Sequence, residues 1–425
     1  MSFPRYESYK DSRIEWLGDV PEHWKTASLR WISKRYSGGT PDKLNLEYWT
    51  DGTIPWLNSG AVNEPIITEP SAYISEDALL KSSAKWVPKG ALVMALAGQG
   101  KTKGMVAQLA IKTTCNQSMA AIITTEAIDA RFLYWWLVTN YQNIRNLAGG
   151  DLRDGLNLEL LGNIPCPLLP YQEQQTIKAF LDRETEKIDA LITEQQRLIE
   201  LLKEKRQSVI SHAVTKGLNP NAPMKDSGIE WLGEVPKHWE VKRLKRLLRL
   251  LTEKTNRRDN PIALENIQGW SGRFIPTETE FEGEGIAFER GDILFGKLRP
   301  YLAKVYLTES SGEAVGDFHV MRPMPEINGR FVMHQILNRD FITIVNSSTF
   351  GAKMPRVAWD FMANMSLVIP PINEQQTITA FLDSETAKLD TLTAEAKTVI
   401  TLLQERRTAL ISVAVTGKID VRRLI

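Results

Sequence analysis

Cysteine is scarce in this sequence: 425 residues contain only Cys115 and Cys166, far apart and in no CxxC spacing. That scarcity excludes a disulfide framework and a thiolate zinc site and implies buried or idle thiols. Histidine is scarce too. The five present (His23, His212, His238, His319, His334) form no HExxH or HxxxH pair, which argues against a metal centre. No apolar run approaches the roughly 20 residues of a membrane helix. ALVMALAG at 91–98 is among the longest, and no charged-then-apolar leader opens the chain, so a cytoplasmic protein with no membrane partner is expected. An excess of either charge sign is also missing. The formal net charge is +1, so a polyanionic partner must be sought in local cation clusters. The chain also lacks an NPPY-like or DPPY-like tetrapeptide for amino-methyl transfer, a GxGxxG and a Ser/His/Asp arrangement. These absences point to a binding protein, not a catalyst. What is there, 43% hydrophobic and 24% charged residues, suits a globular chain of two or three domains with real cores.

The chain begins twice. DSRIEWLGDVPEHW at 11–24 returns as DSGIEWLGEVPKHW at 226–239, with eleven of fourteen letters identical. A second landmark, EQQTIKAFLDRETEKIDAL at 173–191, returns as EQQTITAFLDSETAKLDTL at 374–392. The first landmark recurs after 215 residues and the second after 201, so the segment between them is 14 residues longer in the first half. Such a duplication implies pseudo-symmetry in space. Ile14, Trp16, Leu17 and Trp24, with Ile229, Trp231, Leu232 and Trp239, are read as packing anchors by which each half starts.

The second landmark opens a long amphipathic helix in each half. Leu181, Ile188, Gln195, Leu202 and Val209 recur every seventh residue, with Leu191 and Leu198 between them. Leu382, Leu389, Ala396, Leu403 and Leu410 repeat the series, with Leu392 and Val399. This is the spacing of a coiled-coil seam, and Ile192 and Ile199 widen the first stripe enough for a further surface. Asn373 with Gln376 resembles a capping box, Glu173 and Glu374 suit the positive N-terminal ends, and Gly217 and Gly417 can terminate the helices. Two rods of about 40 residues, roughly 60 Å each, are expected to pair antiparallel, because each needs a partner and the duplication supplies one.

The middles, about 25–165 and 240–366, read as mixed α/β, with strand-like runs (ALVMALA, AAIITT, GDILFG, LAKVYL) divided by glycine and proline turns and helical runs (ARFLYWWLVTNYQNIRNLA, GRFVMHQILN) near their ends. AGQGKTKG at 97–104 looks like a nucleotide-binding loop, but GxxxxGK[ST] fails because Ala95 stands five before Gly100. What this loop shares with GKLRPY in the second half is glycine beside cations: Gln99, Lys101 and Lys103 in one, Lys297, Arg299 and Tyr301 in the other. Glycine admits close backbone approach, while lysine and arginine neutralise phosphate or read guanine edges. VKRLKRLLRLLTEKTNRR at 241–258 has Leu244, Leu247, Leu248 and Leu251 at helical spacing. Its basic side runs into Arg257, Arg258 and then Trp270 and Arg273, which fits a surface facing a polyanion. In the first half SGGT, ending at Thr40, can supply donors to phosphates. Arg153 in GGDLRDGLN and Arg356 in TFGAKMPRV suit DNA contact or a capping or packing role.

IEWLGDVPEHW opening a half, GDILFGKLRPYL in a variable middle and EQQTIxAFLDxET opening a long helix together resemble the specificity subunit of type I restriction-modification systems over essentially the whole chain. The first half departs with GALVMALAGQGKTKG where the second has the more typical GDILFGKLRP. The resemblance implies two mixed α/β target-recognition domains separated by an antiparallel coiled coil of two long helices. The expected division is 1–165, 166–222 (first long helix and linker), 223–366 and 367–425 (second long helix). It implies recognition of a bipartite, asymmetric site in double-stranded DNA, with no catalysis and no cofactor in this chain. Two methyltransferase subunits, carrying S-adenosylmethionine, and ATP- and magnesium-dependent restriction and translocase subunits are the expected partners. Two rival readings are a nucleotide-dependent enzyme using Gly100, Lys101 and Thr102, and a coiled-coil adaptor without a DNA role.

Overall fold

The structure, a computed structural model, describes residues 3–98, 100–148, 155–255, 260–277, 284–351 and 353–424. The repeated opening box folds the same way both times. Tyr9–Asp11 pairs antiparallel with Asp19–Pro21, and Met224–Asp226 with Glu234–Pro236. Gly18 and Gly233 turn each hairpin at left-handed φ of 62° and 59°, a conformation that glycine adopts without a Cβ penalty. Leu17, Trp24, Leu232 and Trp239 are buried in their cores, as expected of anchors.

What the anchors hold explains why the two landmarks repeat together. Trp24 Nε1 donates to Glu173 Oε1 at 3.0 Å, and His23 Nε2 lies 2.8 Å from Glu173 Oε2. Trp239 Nε1 donates to Glu374 Oε1 at 3.1 Å, with His238 Nε2 2.7 Å from Glu374 Oε2. Each box is thus bonded to the first turn of the long helix that closes its half. The adjacent glutamines fix the chain entering the helix: Gln174 Nε2 donates to Leu169 O, and Gln375 Nε2 to Pro370 O. Buried carboxylates and amides persist only where such partners satisfy them.

The long helices run Tyr171–Lys216 and Ile372–Val415. At 1.5 Å per residue each spans about 65–70 Å. Asn373 lies inside the first turn and is not the cap; Pro371 O accepts the amides of Glu374 and Gln375 instead. Gly217 and Gly417 end the helices at φ of 75° and 70°, and a Cβ on Gly417 would stand 2.5 Å from Pro21 Cδ.

The chain divides into two compact units, Met1–Glu194 with Val399–Ile425, and Gln195–Thr398. Both long helices therefore pass from one unit to the other. Within the first unit, Ile177, Leu181 and Ile188 share a core with Leu410, Ile411 and Ala414 of the second long helix. Arg407 donates to Asp189 at 2.9 Å and 3.2 Å. Within the second unit, Arg206 donates to Asp390 at 3.1 Å. Contact of the start of one helix with the end of the other makes each pairing antiparallel.

The seam runs along a different stripe from the one its leucines suggest. Leu181, Ile188 and Leu382 are buried, and Leu202, Leu389 and Leu403 partly so. Leu191, Leu198, Leu392 and Val399 are 51%, 41%, 47% and 39% exposed. The intervening seam positions are instead Thr185, Ile192, Ile199 and Arg206, and Thr386, Thr393, Ile400 and Arg407, all buried or half-buried. A three-residue step and a four-residue step from a seam residue both fall on its face. Here the four-residue step carries the contact, and the polar residues on it conceal the stripe. Ile192 and Ile199 belong to this seam rather than widening it.

Each unit carries an antiparallel sheet beside its helices. In the first unit we number β1 (Ser33–Ser37), β2 (Ile66–Ile67), β3 (Leu92–Ala95), β4 (Val106–Leu109) and β5 (Met119–Thr124), which lie in the order β1-β5-β3-β4-β2 with only β2–β4 parallel. In the second, β6 (Leu248–Leu251), β7 (Ile293–Gly296), β8 (Val305–Leu307) and β9 (Phe318–Pro323) lie in the order β6-β9-β7-β8, all antiparallel. The helical runs expected near the ends of the middles are helices, Ala130–Thr139 followed by Tyr141–Asn146, and Gly329–Ile336. The leucine-rich basic stretch is not a helix. It forms Glu240–Arg243, a single 3-10 turn and β6. Leu244, Leu247 and Leu248 are buried: strand geometry with one tight turn brings them to the same side that helical spacing would have done.

Candidate nucleic-acid interface

The two glycine-plus-cation loops occupy the same place in the two units. One lies between β3 and β4, with residues 96–98 and 100–105 described; the other is the turn from β7 to β8, residues 297–304. A P-loop joins a strand to a helix whose N-terminus holds phosphate. A hairpin turn between antiparallel strands offers no such helix, so the nucleotide-dependent enzyme reading loses its structural basis.

The other matched loop joins each turn. In the second unit Val357 N donates to Lys297 O at 3.1 Å and Lys297 N to Asp317 O at 2.9 Å. In the first, Leu156 N donates to Leu96 O at 2.7 Å and Leu96 N to Ser118 O at 2.8 Å. These bonds make Leu96, not a cation, the counterpart of Lys297. The cations of the first unit stand farther along a longer turn.

The second unit assembles its set tightly. Arg356 grips Asp317 through Nε and Nη2, at 3.2 Å and 2.8 Å, and Lys297 Nζ lies 3.8 Å from the same carboxylate. Arg299 is exposed, with left-handed φ of 50° in a non-glycine residue; its amide donates to Pro355 O. Tyr301, Phe350 and Met354 are exposed beside it in the sequence of the two loops. A strained, outward cation flanked by exposed apolar surface is uncommon where nothing is bound. In the same unit, burial drives the His319 imidazole down to about 4; its Nε2 lies 3.1 Å from Val357 O and its ring stacks on Phe295.

Lys101 is exposed on the turn of the first unit, and its carbonyl accepts from the Tyr141 hydroxyl. Lys103 is only 4% exposed and engaged within the fold, so its ammonium is not placed for phosphate. Thr40 gives its hydroxyl to Gln117. In the same unit Lys112 stands 4.3 Å over the Trp86 ring and Lys85 5.9 Å over the Tyr36 ring, whose hydroxyl donates to Trp86 O, cations and aromatics that sequence reading missed because the three segments are far apart in the chain. Gln99, Arg153, Arg257 and Arg258 lie outside the described residues. Arg273 is taken up elsewhere: its guanidinium is 2.5 Å from Asp390 on the second long helix. Asp317, which organises the second set, had no sequence signal, since a lone acid beside glycine reads as a turn. Among the described residues no group of three or more His, Cys, Asp or Glu could hold a metal, and no helix is long and apolar enough to cross a membrane. Cys115 and Cys166 are free and buried, and burial pushes the Cys115 thiol up to about 12.

Residues 21–202 and 236–402 each match the family described as type I restriction modification DNA specificity domain. The chain belongs to that family. As a specificity subunit it recognises DNA, with one recognition domain per match, and such subunits are not themselves catalysts. Among curated relatives, the specificity subunit of the type I restriction enzyme EcoR124I/EcoR124II of Escherichia coli is 30% identical over 42% of this chain and 44% of its own length. The MjaIX specificity subunit of Methanocaldococcus jannaschii is 24% identical over 96% of both chains. The fold resembles a chain from a structure of type I R-M complex assembly and conformational transition, at 14% identity over 93% of this chain and 98% of that one with a TM-score of 0.72. It also resembles the HsdS subunit of Thermoanaerobacter tengcongensis, at 14% identity over 94% and 98% with a TM-score of 0.53.

Proposed function

We propose that this specificity subunit reads a bipartite, asymmetric duplex, one half per unit, and that the paired loops of each unit are its reading edges. The observation that carries this is the same hydrogen-bonded loop pair built twice from unlike residues: Lys297, Arg299 and Arg356 in one unit, a longer turn bearing Lys101 in the other. Equal frames with unequal tips are what two different half-sites require. In this reading Lys101, Thr40, Lys297, Arg299 and Tyr301 contact DNA, as do Gln99, Arg153, Arg257 and Arg258, while Arg356 acts mainly by holding the loops through Asp317. Arg273 and Lys103 are left out of the contact set. Methylation and restriction belong to partner subunits: two methyltransferases using S-adenosylmethionine and ATP-driven restriction subunits, assembled on this chain in the cytoplasm. The chain itself takes no cofactor. Exchanging residues 25–165 for another recognition middle, in cells carrying the methyltransferase, is expected to change one half of the methylated sequence only. A change in both halves, or in neither, overturns the proposal.

A further inference from the structure

Each long helix carries an aspartate and, seventeen residues later, an arginine: Asp189 and Arg206 on the first, Asp390 and Arg407 on the second. The antiparallel pairing brings the arginine of one to the aspartate of the other in both units, Arg206 Nη1 to Asp390 Oδ2 at 3.1 Å and Arg407 Nε to Asp189 Oδ1 at 2.9 Å. Both arginines stand on the seam stripe, where an apolar side chain would be expected, and Arg206 is only 9% exposed. Each is also tied to its own recognition domain. Arg206 Nη2 donates to Ser271 O at 3.1 Å, and Arg273 of the same loop reaches Asp390. The Arg407 guanidinium lies 5.8 Å over the Trp135 ring.

We propose that Arg206–Asp390 and Arg407–Asp189 are register pins, positioning residues that admit a single alignment of the two long helices. The apolar stripe alone repeats every seven residues, so a slip of one heptad would preserve most of its burial. The pins do not tolerate it. A slip one way sets Arg206 against Lys397 and Arg407 against Gln196. A slip the other way sets them against Asp383 and Asp182, which hold Arg330 at 3.2 Å and Arg131 at 2.9 Å, and leaves Asp390 and Asp189 facing Ile199 and Ile400 in place of their arginines. A half-buried guanidinium without its acid is costly, whereas a buried ion pair adds little stability over an apolar pair of similar volume. The pairs are therefore suited to specifying alignment more than to adding stability. The consequence that these pins hold the spacing between half-sites constant rests on the DNA reading proposed above; the pins themselves do not.

The test measures register directly in the purified full-length chain. Spin labels at Leu201→Cys and Leu392→Cys, both exposed and one on each helix within the same unit, report one distance. Leu402→Cys and Leu191→Cys are the equivalent pair in the other unit; Cys115 and Cys166 are buried and do not compete for label. One narrow distance is expected in the parent chain. Replacing both pins by apolar pairs (Arg206→Met, Asp390→Leu, Arg407→Met, Asp189→Leu) is expected to keep the helix content and add a second population, one label displaced along the axis by about 10 Å, a heptad's rise. The charge swap (Arg206→Asp with Asp390→Arg, and Arg407→Asp with Asp189→Arg) should restore the single distance. The reversal Arg206→Asp alone should not. An unchanged single distance in the apolar or the singly reversed chain overturns the pins, even if melting temperature falls. Mapping methylated positions in cells then separates the two ideas: altered register with unaltered spacing of the methylated halves would count against the DNA reading and leave the pins standing.

Discussion

At the scale of single residues, the paired loops of the second unit depend on a carboxylate and on an imidazole. Lys297→Ala and Arg299→Ala are each expected to weaken DNA binding by the assembled complex and to lower the slope of log affinity against log salt by about 1, the mark of a lost phosphate contact. Equilibrium binding at several salt concentrations measures it. An altered affinity for one half-site alone, with the slope intact, would mark a base contact instead. His319 predicts a pH dependence. Burial holds its folded value near 4, below the 6.5 of the free side chain, so the unfolded chain binds the proton more readily. The stability it contributes is complete above about 6.5 and is lost as pH falls towards 4, at no more than about 1.4 kcal/mol per pH unit. His334, fully buried, is shifted in the same direction by desolvation. Urea unfolding at pH 7.5 and pH 4.5 should show a smaller difference for His319→Gln than for the parent chain. These residues were legible unequally. Arg299 stands out in the sequence as a cation beside glycine, but Asp317 and His319 acquire their roles only when β9 is laid against β7.

Among elements, the long helices were legible in period and not in face. Their existence, direction of pairing and glycine ends follow from heptads and a duplication, since an exposed apolar stripe needs a matching one. Which residues fill the seam did not follow, because Thr185, Thr386, Arg206 and Arg407 stand on it while Leu191 and Leu392 stand off it. The two classes of leucine should behave differently. Leu181→Ala, in a fully buried site, is expected to cost about 2–5 kcal/mol, whereas Leu191→Lys is expected to stay within about 0.5 kcal/mol. Denaturant unfolding of the isolated chain distinguishes them, and equal losses would show that Leu191 is buried after all. If Leu191→Lys leaves the chain stable yet weakens assembly with a methyltransferase subunit, its exposed stripe serves a partner.

On the scale of the whole molecule, the first unit is built from segments far apart in the chain, the second from one continuous stretch. The core of the first unit is completed by Leu410, Ile411, Ala414, Val415, Ile419 and Val421 from its last residues. Deleting 399–425 is therefore expected to strip hydrogen-exchange protection from residues 3–194 while residues 195–398 retain theirs. Loss of protection throughout, or nowhere, would contradict that division. The duplication, the two anchoring boxes, the two rods and the absence of catalytic motifs could be read before folding, because these rest on local identity and period, which an unfolded chain displays. Folding alone established that Glu173 and Glu374 bond the boxes, that Lys103 is buried while Arg273 is drawn to Asp390, and that arginine and aspartate meet across the helices. Those facts depend on which distant segments become neighbours. Burial, unlike periodicity, is a property of the neighbours and not of the letter.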